Sequence, residues 1–138
     1  MSYFDEELEK ELLESSINYM KLDNDAHDNA VSHINRNFPF IGSKIAWSSL
    51  PNSTSHSKNT INKAIEEISE KAKDLKITEI TFIGDSLTEN AYRFHTADLK
   101  KIIMTFSEIP QHTYFFSEQF SLIGCISSEG EINFSATT

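Results

Sequence analysis

A serine set at the end of an apolar strand can act as a nucleophile, and Phe82-Ile83-Gly84-Asp85-Ser86-Leu87-Thr88 holds one in that position. Its hydroxyl is a weak nucleophile unless a base within hydrogen-bond reach takes the proton. Five histidines could supply that base, namely His27, His33, His56, His95 and His112. The group Asp23, Asp25, His27 and Asp28 is the other concentration of ligand-type side chains. A calcium loop needs glycine at its sixth position and a bidentate acid at its twelfth, and here those positions hold Asp28 and Ile34. The group therefore reads as a cap for the helix that follows. His27 and His33 are six residues apart and face different sides of a helix, so they do not chelate as a pair. No glycine-rich phosphate loop exists, and no cofactor or metal is expected.

The first of these motifs is similar to the opening block of the GDSL hydrolases, an apolar strand followed by Gly84-Asp85-Ser86-Leu87. That resemblance implies Ser86 as nucleophile, activated by an Asp-x-x-His pair near the C-terminus. None of the five histidines follows an aspartate by three residues, and the family's later oxyanion-hole blocks are absent. The same four residues are also ordinary turn chemistry. The expectation is a chain with no catalytic residues. A small esterase built on Ser86 is the alternative.

A third constellation is acidic. Asp85, Glu89, Glu118, Glu129 and Glu131 fall at strand ends and turns, with His112 and the aromatics Tyr92 and Tyr114 beside them. Exposed aromatics ringed by acids suit a protein interface with a charged rim. The competing reading is a solvated edge over a core in which Phe106, Phe115, Phe116, Phe120 and Phe134 simply pack. The formal net charge is -9 over 138 residues. Residues 1–30 carry -7, residues 31–76 carry +3 and residues 77–138 carry -5. Such a field disfavours nucleic acid and anionic membrane as partners and steers in a basic protein. Cys125 is the only cysteine and lies in the apolar run Leu122–Ile126, where a buried thiol is expected. The acidic N-terminus lacks the features of a signal peptide. A single domain in a reducing cytoplasm fits all of this.

The elements that position these residues follow from periodicity. A first helix is expected from about Phe4 to Met20, and a second from Ala26 to Asn37, burying Ala30, Val31 and Ile34. Lys44–Trp47 reads as a short strand and Ser48–Ser57 as an exposed loop. The third helix is the plainest, with Ile61, Ala64, Ile65, Ile68, Ala72 and Leu75 at spacings of three and four. Strands are expected at Ile77–Ile83, Ala91–His95, His112–Ser117, Ser121–Ser127 and Glu131–Phe134. A short helix capped by Thr96 carries Leu99, Ile102, Ile103 and Phe106. The expected class is α+β, N-terminal helices packed on a mainly antiparallel sheet formed largely by the C-terminal half.

Two segments carry a further resemblance. His112-Thr113-Tyr114-Phe115-Phe116-Ser117-Glu118-Gln119-Phe120 and Gly124-Cys125-Ile126-Ser127-Ser128-Glu129-Gly130-Glu131-Ile132-Asn133-Phe134 are similar to small bacterial immunity proteins of polymorphic toxin systems, those of contact-dependent growth inhibition in particular. The resemblance implies a cytoplasmic inhibitor of a cognate toxin C-terminal domain, most often a basic nuclease. An acidic adaptor for some other basic protein is the remaining alternative.

Overall fold

The computed structural model describes residues 2–42 and 44–137, in which four α-helices and nine strands alternate. They run α1 (Tyr3–Glu14), β1 (Met20–Leu22), α2 (Asn24–Asn37), β2 (Phe40–Ile41), β3 (Lys44–Ile45), β4 (Ser53–His56), α3 (Ile61–Asp74), β5 (Glu79–Gly84), β6 (Ala91–His95), α4 (Leu99–Ser107), β7 (Thr113–Phe116), β8 (Leu122–Ile126) and β9 (Ile132–Ala136). Seven strands form one sheet in the order β1-β6-β5-β7-β8-β9-β4, antiparallel at every step. β2 and β3 pair as a separate small hairpin. The class is α+β, as the sequence implies. Among the described residues no helix is long and apolar enough to cross a membrane.

The pleat divides the sheet's side chains between two faces. On the first face Ile80, Phe82, Tyr92, Phe94, Phe115, Leu122, Ile132 and Phe134 meet Leu8 and Leu12 of α1, Ile65 and Ile68 of α3, and Ile102, Ile103 and Phe106 of α4. Phe82 is central: its ring stacks on Phe106 at 4.8 Å and on Phe115 at 5.4 Å and meets Phe94 edge-on at 5.5 Å. On the second face Ile83, Ala91, Tyr114, Phe116, Ile123 and Cys125 are covered by Ile34 of α2, by Ile45, and by the half-buried Phe38, Phe40 and Trp47. Central strands buried on both sides explain the near-continuous apolar runs of β5, β7 and β8.

Three elements depart from their expected form. α1 stops at Glu14, not Met20, because Ser16 turns left-handed (φ 57°) and the Ile17 amide donates to Leu12 O at 2.9 Å. This is a Schellman closure made without glycine, with the Ile17 side chain folded back into the core. α3 ends the same way, at Lys76 (φ 58°), with Ile77 N donating to Ala72 O at 2.8 Å. Met20–Leu22 then becomes an edge strand on β6. Likewise, part of the segment expected as a loop, Ser53–His56, is the strand β4 on β9. α2 does match expectation: the Asp23 carboxylate accepts from Ala26 N at 2.8 Å, the capping role anticipated for that acidic group.

Candidate functional site

At one end of the sheet β5 and β8 finish and β6, β7 and β9 begin, so their connecting loops crowd together. The Gly-Asp-Ser-Leu turn lies here, wrapped around the buried side chain of Gln111. Gln111 Oε1 accepts from Leu87 N at 2.8 Å and Thr88 N at 3.1 Å, with Ser86 N at 3.4 Å, while Nε2 donates to Thr88 Oγ1 at 2.9 Å. A Cβ on Gly84 would come within 2.4 Å of the Gln111 amide atoms, so only glycine admits that side chain. Three consecutive amides after a strand could form an oxyanion hole. Here they already hold an internal carbonyl.

Asp5 ties α1 to the same loops. Its buried carboxylate accepts from Glu89 N at 2.7 Å, Asn90 N at 3.2 Å and the Tyr92 hydroxyl at 2.8 Å. Burial alone would raise its pKa, but hydrogen bonds from Ser2, Glu89, Tyr92 and Asn90 outweigh that and hold it below the usual carboxylate value. Ser2 caps α1 by accepting from Asp5 N at 3.1 Å, and its hydroxyl lies 2.8 Å from Leu87 O. The β5–β6 loop is thus fixed from both sides, by Gln111 and by Asp5.

The neighbouring loops are linked through His112. Asp85 Oδ1 accepts from His112 N at 3.1 Å, Asp85 N donates to His112 O at 3.0 Å, and His112 Nδ1 accepts from Ser128 N at 3.1 Å. Ser127 Oγ accepts from Glu131 N at 3.0 Å, and Gly130 supplies the left-handed position (φ 90°) of that turn. Glu129 pairs loosely with Lys44 at 3.8 Å. Asp85, Glu89, His112, Glu129 and Glu131 therefore share one end of the sheet. Glu118 does not: it follows β7 at the far end, roughly 17 Å away at about 3.4 Å per residue along β5.

Tyr92 and Tyr114 are corrections. Both were expected as exposed interface aromatics, yet Tyr92 is 0% and Tyr114 7% exposed. Tyr92 shares the parity of Phe94 and points into the first face, where its hydroxyl reaches Asp5 and, at 2.9 Å, Glu9. Burial, with those two carboxylates facing it, pushes its pKa far up. Tyr114 lies on the second face opposite Cys125, and burial, with Cys125 and Asp85 adding to it, pushes its pKa up. Burial likewise drives the Cys125 thiol up to about 12, with Asp85 adding to the rise.

α2 contributes residues not included in the expected site. His27 Nε2 lies 3.0 Å from Gly84 O, and the ring is close to Asp28, with Nδ1 at 3.7 Å from Oδ1. The spacing held the signal: His27 is four residues before Val31 and seven before Ile34, so all three share the face of α2 turned to the sheet. Asn24, His27, Asp28 and Ser86 line a shallow cleft over the Gly-Asp-Ser-Leu turn. A deeper cavity of about 350 Å³ opens beside it between α2 and β5, lined by His27, Asp28, Val31, Ile34, Phe40, Ile83, Asp85 and Tyr114, among others. No protein-family model matches the chain, and no curated protein is similar to it. Among the described residues no group of three His, Cys, Asp or Glu side chains is arranged to hold a metal ion.

The other histidines have local roles. His33 stacks on Phe120 at 4.0 Å, His56 lies 2.9 Å from Glu67 Oε2, and His95 Nδ1 accepts from Ala97 N at 3.2 Å. His95 and His112 stand at opposite ends of the sheet.

Proposed function

We propose that this chain is an immunity protein, one that binds and neutralises a cognate toxin domain without turning over a substrate. The observation that carries this is the gathering of acids at a single end of the sheet. Asp85, Glu89, Glu129 and Glu131 stand there with Asp25 and Asp28 from the first turns of α2, all exposed. The carboxylates are held on loops fixed by buried hydrogen bonds, so little order has to be gained on docking. A basic toxin domain, such as a nuclease that must itself attract a polyanion, is the partner that this charge suits.

The reading without turnover draws support from the Ser86 region. The amides of residues 86–88 face Gln111, and His27, the imidazole of the adjoining cleft, is engaged with Gly84 O rather than with the Ser86 hydroxyl. The esterase alternative predicts hydrolysis of short nitrophenyl esters that Ser86→Ala abolishes. An acidic adaptor for another basic protein would share the surface but not the rescue phenotype. The test is co-expression with the C-terminal domain encoded by the gene immediately upstream. Growth arrest relieved by this chain, with a 1:1 complex that weakens as salt rises, is the expected result. Arrest that persists in its presence would refute the proposal.

A further inference from the structure

The cavity between α2 and β5 has a composition that selects its occupant. Its floor and walls are apolar: Val31, Ile34, Ile83 and the rings of Phe40 and Tyr114. Its polar groups are unevenly used. The imidazole donor is engaged inside the protein, His27 Nε2 on Gly84 O at 3.0 Å. The acceptors are not. Asp85 uses one carboxylate oxygen on His112 N and leaves the other open, and Asp28, exposed at the mouth, makes only the 3.7 Å approach to His27. The Asn35 side chain, also exposed at the mouth, makes no hydrogen bond among the described residues. An apolar slot whose open charged atoms are carboxylates, with the Asn35 amide beside them at the mouth, suits a ligand with an aliphatic stem and a cationic head rich in donors.

We infer that this cavity receives an arginine side chain presented by the basic protein partner, with its stem along Val31, Ile34 and Ile83 and its guanidinium between Asp85 and Asp28. This deepens the immunity reading and rests on it for the partner's identity. Arginine fits better than lysine because the open acceptors sit on separate residues, and a planar five-donor fork reaches them from more directions than a compact three-donor ammonium does. The ring faces of Phe40 and Tyr114 add a surface on which the same plane can lie. A buried arginine clasped by acids is also the kind of anchor that dominates protein interfaces.

The chemistry can be tested on the full chain alone. Titration with N-acetyl-arginine methylamide, followed by amide shifts, should move Asp28, Val31, Asn35, Gly84 and Asp85 in a saturable way. The uncharged N-acetyl-citrulline methylamide should bind at least about tenfold more weakly, the loss expected with the charge assistance. Asp85→Asn keeps an acceptor for His112 N and should reduce arginine binding by a similar factor. Equal shifts with both probes, or shifts confined to the far end of the sheet, would overturn the inference. A second readout uses the toxin domain identified by rescue. There, Asp85→Asn and the cavity-filling Val31→Phe should each weaken the complex at least about tenfold. If the wild-type chain rescues growth while both variants bind undiminished, the cavity is not the anchor and the immunity reading stands. If the wild-type chain does not rescue, that reading fails and the arginine titration alone decides the cavity.

Discussion

The two faces of the central sheet are built from similar residues for different ends. The first is closed by three helices around Phe82, whose ring touches three others, and the polar groups at its margin, Tyr92 and Asp5, satisfy one another. The second is covered by one helix and an irregular segment. It includes Phe120, a bulky residue held left-handed (φ 57°) so that its ring lies between Phe116 at 4.6 Å and His33 at 4.0 Å. That conformation costs about 1–2 kcal/mol, offset by the ring stack that clamps α2 to the sheet. The clamp leaves a cavity open at the acidic end. The difference suggests a division of labour, one face supplying stability and the other a surface whose shape is not fully filled.

Substitutions on the two faces should separate accordingly. Phe82→Ala should lose about 3–5 kcal/mol in urea unfolding, the usual cost of emptying a ring-sized core site. Phe120→Gly should lose no more than about 1–2 kcal/mol, because part of the lost stacking is repaid by relief of the left-handed strain that glycine escapes. Equal losses would break the contrast. Gly124→Ala comes next: its Cβ would fall 2.1 Å from the Phe115 ring, an overpacking worth about 1–3 kcal/mol.

Asp5→Asn tests the margin of the first face. At pH 7 it should cost about 1–3 kcal/mol, since the carboxylate serves two backbone amides and Tyr92. The native pKa is depressed, so this stability is present above the unfolded value of about 3.9 and is lost as pH falls through the lower native one. The gap between variant and wild type should therefore narrow below about pH 4. A gap that widens on acidification would contradict the assignment. On the second face, the Cys125 thiol should resist iodoacetamide at pH 8 in the native protein and react rapidly in urea. The smallest structural effect is expected from Glu129→Lys with Glu131→Lys, which should leave the unfolding midpoint nearly unchanged while slowing association with a basic partner.

Much of this organisation was written locally and some was not. α3 is legible because Ala64, Ile65, Ile68 and Ala72 repeat at helical spacing and are all buried. Strand parity holds the placement of Tyr92: it lies two residues from Phe94, and that relation sends both to the same core. The end of α1 was not legible, because its left-handed closing residue is a serine and the motif is made by backbone bonds and the return of Ile17. β4 was equally hidden, since Ser53–His56 is polar and becomes a strand only by pairing with β9, about 80 residues away. In the candidate site, Asp85, Glu129 and Glu131 were found from turn positions. Gln111 was not, and His27 stood out only as a base or ligand type, because their contacts, to residues 86–88 and to Gly84, exist only across the fold.

The central claim is that the acidic end of the sheet neutralises a basic toxin domain. Its most direct test is growth rescue scored for three forms of the chain: wild type, a triple variant carrying Asp85→Asn, Glu129→Lys and Glu131→Lys, and Glu118→Lys at the far end. Rescue by wild type and Glu118→Lys, lost in the triple variant while its unfolding midpoint is preserved, is the predicted outcome. Rescue that survives the triple variant but fails with Glu118→Lys would move the binding surface to the opposite end and contradict the account.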